Sequence, residues 1–188
     1  MKHLNTYITE YIIKKKLDKP IDSENNYKYS PINKEQLINN INECIDLGEY
    51  NLNVIDVSSI KDMSKLFRSV NLDKIKRGSK LDISKWDVSN VVDTEGMFDG
   101  CENFDCDLSN WNVSKIRDAS TMFYDCLNFT GKGLDKWKLS SIRNMNYMFC
   151  GCEKLDCDLS KWNIDKNVSM KKALKDCNLK NKPSWYKE

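Results

Sequence analysis

The chain is poor in the residues on which most catalytic sites depend. Its 188 residues include a single histidine, His3, seven glycines and three prolines. The rest of the chain therefore cannot supply a Ser-His-Asp triad or a histidine-containing zinc site. The scattered glycines form no phosphate-binding loop. We predict that the protein is not an enzyme and that it uses no cofactor and no metal.

Long apolar runs and a strong net charge are also missing. No stretch approaches the roughly 18 consecutive apolar residues of a membrane-spanning helix, so no membrane insertion is expected. The formal net charge of +2 gives no electrostatic reason to bind nucleic acid. Residues 1–20 lack the apolar core of a secretory signal. This predicts a cytoplasmic protein, or a virion-associated one if a phage encodes it, and disfavours exposure at the cell surface.

What the chain does contain is a repeat of 25 or 26 residues. Three columns of residues keep this spacing: Trp86, Trp111, Trp137 and Trp162; Phe98, Phe123, Phe149 and Leu174; and Cys101, Cys126, Cys152 and Cys177. A repeat of this length is typical of stacked architectures, in which terminal repeats are atypical. A degenerate opening repeat, from Ile55 to Val70, fits that expectation.

The pattern within each repeat suggests a fold. An extended segment precedes the tryptophan, a serine-containing turn follows it, and a short helical turn ends in a Met-Phe pair. We predict an α/β repeat: a short right-handed leucine-rich-repeat-like solenoid with a parallel sheet on one face and short helical turns on the other. Trp111 and Phe123 are expected to be buried inside the stack.

Two helices are predicted ahead of the repeats. Leu4, Tyr7, Ile8, Tyr11 and Ile12 fall on one face of an amphipathic helix. A second helix, over 33–47, begins at an Asn33 cap with Gln36 three residues on and covers the open end of the first repeat. We therefore divide the chain into an N-terminal helix and linker at 1–31 and a capped solenoid at 32–188. Within the solenoid, the repeats run from about 51 to 179 and a C-terminal tail covers 180–188.

The cysteine, tryptophan and aspartate columns each allow more than one interpretation. The cysteines are expected to be buried thiols, although oxidation or metal binding stays open. The tryptophans are expected to form a core ladder, with an exposed aromatic strip as the alternative. Asp105, Asp107, Asp156 and Asp158 could bind calcium weakly, but solvated charges at the edge of the stack are the preferred interpretation.

The repeats resemble the BspA-like leucine-rich repeat family, a mycoplasma-lipoprotein or surface-protein repeat of about 25 residues. The matching strings are 82–91 with Met97-Phe98 and Cys101, then 107–113 and 158–164. The opening segments 51–58 and 60–67 and the helix 35–45 are similar as well. The resemblance implies the repeat fold over about 33–177, and it implies adhesion or protein binding at surfaces.

We expect a non-catalytic protein–protein interaction module of bacterial or phage origin that binds another protein or a second copy of itself. One alternative is a structural component of a virion or other assembly, docked through its N-terminal helix, and a second is a surface adhesion protein. The candidate binding residues are those that flank each tryptophan, together with the apolar face of the first helix: Lys85, Asp87, Asn110, Asn112, Lys136, Lys138, Lys161, Asn163, Leu4, Tyr7, Ile8, Tyr11 and Ile12.

Overall fold

The computed structural model describes residues 27–72, 75 and 78–187. Within them the regular elements are one α-helix, α1 (Lys34–Asp46), and three short 3₁₀ segments, Leu52–Val54, Leu66–Ser69 and Leu134–Lys136. The remaining described residues form turns that repeat along the chain. The first predicted helix, with its five apolar residues between 4 and 12, lies outside the described residues.

Helix α1 begins and ends where the sequence predicts. The Asn33 side chain accepts a hydrogen bond from the Gln36 amide at 2.9 Å, which satisfies one of the free N–H groups of the first turn. The Gln36 side chain accepts from the Ile32 amide at 3.1 Å instead of from Asn33, so the capping box is shifted by one residue. Gly48, with φ of 74°, follows the last turn. The domain boundaries around this helix stay predictions.

Helix α1 is fixed to the first repeat by polar contacts as well as by its apolar face. The Lys34 ammonium lies 2.8 Å from the Asp62 carboxylate and 3.1 Å from the Ser64 carbonyl. Farther along the helix, the Asn42 side chain accepts from the Asn71 amide at 3.1 Å. The buried side of the helix consists of Leu37, Ile41, Cys44 and Ile45. The helix therefore covers the first repeat, as the sequence predicts.

In one segment of each repeat, the backbone hydrogen bonds to the neighbouring repeat run in one direction, whereas outside it the amides of Arg117 and Arg143 donate backward to the carbonyls of Val92 and Arg117. In the segment from Thr94 to Gly100, every second amide donates to a carbonyl of the next repeat, and we call these the forward amides. Thr94, Gly96, Phe98 and Gly100 donate to Asp118, Ser120, Met122 and Tyr124, respectively, at 2.8 to 2.9 Å. Between them, the Met97 and Asp99 amides donate to carbonyls three residues earlier, as in turns, and the Glu95 amide donates to the Asp93 carboxylate. The next two pairs of repeats show the same arrangement.

Left-handed backbone conformations make this arrangement possible. One column with positive φ consists of Lys65, Gly96, Thr121, Tyr147 and Lys172, with φ between 51° and 57°. A second column consists of Gly100, Asp125, Gly151 and Asp176, with φ between 51° and 79°. Non-glycine residues seldom adopt this region, because the Cβ atom crowds the backbone. The recurrence of these angles shows that the stack imposes them.

The predicted fold class is wrong in its secondary structure. Within the described residues, strand-type pairing is limited to isolated parallel bridges, such as Asp62 with Asp93 and Asp93 with Asp118. The left-handed residues interrupt any extended run, so the described residues form no parallel sheet and no leucine-rich-repeat solenoid. The predicted short helical turns are absent from the Met-Phe segments because their forward amides bond to the next repeat. What the described residues form is a stack of turns.

The core of the stack is aromatic. The rings of Phe98, Phe123 and Phe149 stack at centroid distances of 5.4 and 5.5 Å, and the last two are nearly parallel, at 2°. Phe104 and Phe129 form a second row, 4.0 and 4.4 Å from Phe98 and Phe123. All five side chains are buried. The prediction that Trp111 and Phe123 lie inside the stack is confirmed.

We expect Phe123→Ala to lower the free energy of unfolding by about 3–5 kcal/mol. The Phe123 ring contacts five other aromatic rings, so its removal leaves a cavity that the stack cannot close easily. Urea unfolding followed by circular dichroism measures the change, with exposed Lys138→Ala as the control. Identical transitions for Phe123→Ala and the control would contradict the assignment of this ring to the core.

The cysteine column provides hydrogen bonds as well as volume. All eight cysteines are free thiols, and most are buried. The sulfur of Cys126 lies 3.1 Å from the Phe98 carbonyl, and that of Cys152 lies 2.9 Å from the Phe123 carbonyl. Each thiol can therefore donate to the repeat before it, a role that the sequence interpretation as small apolar residues missed.

The buried thiols predict a loss of stability at alkaline pH. Burial raises the pKa of Cys101 from 9.0 to about 12. The unfolded chain therefore loses this proton first, and the contribution to stability is complete below pH 9.0 and falls as the pH rises toward 12. Urea unfolding between about pH 8 and about pH 11 should show a shallower decline for Cys101→Ala than for the parent. Equal slopes would show that this thiol is not buried in solution.

Candidate interaction surface

Each tryptophan is held in place by the repeat before it. The indole Nε1–H of Trp111 donates to the Ile83 carbonyl at 3.1 Å, and that of Trp162 donates to the Leu134 carbonyl at 2.7 Å. The rings of Trp111, Trp137 and Trp162 stack at 6.3 and 6.2 Å with interplanar angles of 5° and 3°. These rings are buried, so the ladder belongs to the core and the alternative of an exposed aromatic strip is excluded.

The residues that flank the tryptophans form the outer surface at this side of the stack. Because each indole points inward, its sequence neighbours on both sides point outward. All eight described candidates are exposed, and we call them the tryptophan-flanking surface: Lys85, Asp87, Asn110, Asn112, Lys136, Lys138, Lys161 and Asn163. They fall into two columns, one before and one after the tryptophans. The remaining five candidates, between 4 and 12, lie outside the described residues.

Two of these eight side chains also have a structural role. The Asp87 carboxylate accepts from the Ser89 amide at 3.0 Å, and the Asn112 side chain accepts from the Ser114 amide at 3.2 Å. Such contacts fix a turn through the side chain of its first residue. The same contact recurs elsewhere, as from Asp82 to Ser84. The sequence signal for this contact is Asp-x-Ser or Asn-x-Ser.

Lysines of neighbouring segments pair with three of the four aspartates that could have bound calcium, and the fourth, Asp158, accepts from the Ser160 amide. Lys132 lies 2.8 Å from Asp107, and Lys180 lies 3.1 Å from Asp156. The hydrogen bond from Lys132 and those from Ser109 hold the pKa of Asp107 well below its usual range. Within the described part of the chain, no three His, Cys, Asp or Glu side chains converge as a metal site would require. Solvated, paired charges are therefore the better description of this row.

Trp185 is the residue that the repeat spacing misses. It lies 23 residues after Trp162, so it falls outside the columns and inside the predicted tail. Its ring nevertheless stacks on Trp162 at 5.8 Å, and its Nε1–H donates to the Leu159 carbonyl at 2.9 Å. The segment predicted as a tail thus closes the tryptophan side of the last repeat.

These observations define the class first: a repeat protein in which turns stack through directional hydrogen bonds. The family can then be named, because the chain matches the family described as "Mycoplasma protein of unknown function, DUF285" over residues 35–132 and again over 62–185. The chain belongs to this family. The mycoplasma-type resemblance predicted from the sequence is thereby confirmed, whereas its leucine-rich-repeat character is not.

Two further comparisons add nothing to this assignment. No curated protein and no solved structure matches the chain. In the residues described by the structure, no helix has the length and apolarity needed to cross a membrane.

We expect Asn112→Ala to lower the free energy of unfolding by about 1 kcal/mol, because the Ser114 amide loses its acceptor. Lys136→Ala, at an exposed position with no such contact, should change it by less than about 0.5 kcal/mol. Thermal and urea unfolding of both variants measure the difference. A larger loss for Lys136→Ala than for Asn112→Ala would contradict the division between structural and free positions on this surface.

Proposed function

We propose that the protein is a non-catalytic protein–protein interaction module that binds through the tryptophan-flanking surface. The observation that carries the proposal is the regular spacing of exposed side chains outside a buried tryptophan ladder. The ladder fixes the backbone on both sides of each indole, so the exposed columns are held in register. A rigid array loses little conformational entropy when it binds a partner.

The chemistry of this surface favours a partner that presents acceptors and negative charge. Its eight residues include four lysines and three asparagines against one aspartate. Asparagine can donate and accept, and lysine provides a mobile charge. Lys136 and Lys138 flank Trp137 on both sides and are both exposed. They are therefore the best site for a substitution that disrupts binding.

A cytoplasmic location is part of the proposal. It is supported by the eight unpaired thiols, which are typical of a reducing compartment. The apolar residues predicted to share one face of a helix between 4 and 12 provide a second candidate contact, either to a partner or to another copy of the chain.

The test compares two charge-reversed double variants with the parent in affinity capture from lysate, followed by mass spectrometry. Lys136→Glu with Lys138→Glu alters the tryptophan-flanking surface. Arg117→Glu with Arg143→Glu makes the same change in charge at exposed positions elsewhere. We expect the parent and the arginine variant to retain the same partner and the lysine variant to lose it, because the reversed charges repel an acceptor-rich surface.

A variant that lacks residues 1–20 separates the two candidate contacts. We expect it to remain folded, with a Tm within a few degrees of the parent, and light scattering reports whether it still self-associates. Retention of the same partner by the lysine variant would contradict a binding role for the tryptophan-flanking surface. The absence of any partner or self-association for the parent would contradict the interaction function altogether.

A further inference from the structure

The last repeat presents forward amides for which the described residues supply no acceptor. In the repeat before it, Met145, Tyr147, Phe149 and Gly151 donate to the last repeat at 2.7 to 3.0 Å. The equivalent amides one repeat later are those of Met170, Lys172, Leu174 and Asp176. None of these four finds an acceptor among the described residues. We call this row of N–H groups the donor edge.

The donor edge differs from an ordinary strand edge. An unpaired strand normally offers N–H and C=O groups in alternation, whereas the alternate carbonyls here point back toward the preceding repeat and are occupied by its amides. Leu174 is only 2% exposed, and its N–H still lacks an acceptor among the described residues. A buried amide without an acceptor is costly and rare, so this edge is suited to a ligand that supplies carbonyl or carboxylate oxygens.

The opposite end of the stack is already closed. There the first repeat presents outward carbonyls, and the Lys34 ammonium of α1 donates to the Ser64 carbonyl and pairs with Asp62. A second copy therefore cannot add its first repeat to the donor edge while α1 is in place. Two donor edges cannot pair with each other either, because both offer donors. Because neither end of a second copy fits, the donor edge is best suited to a segment of a different polypeptide.

The side chains at the donor edge specify the charge of that polypeptide. At the first interface, Lys65 pairs with Glu95 of the next repeat at 3.1 Å, and Arg68 pairs with Asp99 at 3.0 Å. The last repeat carries Lys172 and Lys175 at the positions equivalent to Lys65 and Arg68, and both are exposed.

The two lysines have contacts that a ligand would replace or share. Lys175 pairs with the exposed Asp176 at 3.2 Å, and the Lys172 ammonium lies 5.9 Å from the centre of the Tyr147 ring. Each is a solvent-exposed interaction of small free energy. Neither prevents the lysines from meeting acidic groups on an added chain.

We propose that the donor edge binds a segment of a partner protein that carries two acidic residues four positions apart and lies along the last repeat as a next repeat would. Its alternate carbonyls accept from the forward amides, and its two carboxylates pair with Lys172 and Lys175. This is a form of recognition by backbone addition. The inference rests on the proposed protein-binding function but uses a separate surface.

The probe is a fluorescent peptide with the sequence of residues 91–100, which carries Glu95 and Asp99 in the required spacing. Binding to the full chain is followed by fluorescence anisotropy. We expect saturable binding that becomes roughly fivefold weaker with Lys172→Glu plus Lys175→Glu, as for the loss of two exposed ion pairs. A peptide that carries Glu95→Lys and Asp99→Lys should bind the parent poorly. It should bind the Lys172→Glu plus Lys175→Glu variant more tightly than it binds the parent. Hydrogen exchange at the Leu174 amide should slow when the peptide binds.

Three results would overturn the proposal: no saturable binding, no response of the Leu174 amide, or displacement of the peptide by inorganic phosphate as effectively as by unlabelled peptide. Displacement by phosphate would mark an unselective anion site. The matched control is Lys136→Glu plus Lys138→Glu, which should leave peptide binding unchanged. If the peptide fails to bind while this control variant loses its partner in affinity capture, only the donor edge is wrong. If the peptide binds as expected and this control variant keeps the parent's partner in affinity capture, only the tryptophan-flanking surface is wrong.

Discussion

The structure depends on rows of peptide groups that are hydrogen-bonded across the stack in one direction. The peptide unit between Glu95 and Gly96 accepts from Lys65 and donates to Ser120, and the unit that begins at Ser120 continues to Asn146. Because each unit accepts on one side and donates on the other, its dipole is aligned with those of its neighbours. Aligned chains of this kind strengthen one another. The ends of these rows are therefore chemically different, with acceptors at one end and donors at the other.

The residue columns follow from this constraint. The forward amides occur together with the two columns of left-handed residues, and this backbone path brings the phenylalanines of successive repeats into contact. Outside these rows, bonds run in the opposite direction: the Arg117 amide, the indole of Trp137 and the thiol of Cys126 all donate to the preceding repeat. The Lys34 ammonium at the acceptor end is consistent with the same polarity, much as a cation suits the C-terminal end of a helix.

The sequence predicts the positions of the side chains better than the path of the backbone. Periodicity correctly places Trp111 and Phe123 in the core and their polar neighbours outside, since burial follows from residue type. The prediction of a parallel sheet is wrong, because neither Thr121 nor Lys65 is a residue type that favours a left-handed φ. Trp185 is missed because its spacing departs from the repeat. The donor edge is missed because it consists of backbone N–H groups, which every residue other than proline carries. The binding role of the tryptophan-flanking surface stays a proposal.

The most direct test of the account is to measure scalar couplings through the hydrogen bonds by NMR on the isotope-labelled protein. The stack predicts couplings from the amide nitrogens of Gly96 and Thr121 to the carbonyl carbons of Ser120 and Asn146, and from those of Phe98 and Phe123 to the carbonyl carbons of Met122 and Met148. In these segments every inter-repeat coupling should run from the earlier repeat to the later one. Within these segments, couplings in both directions would indicate a parallel sheet and would contradict the account, as would couplings to carbonyls four residues earlier, which indicate a helix.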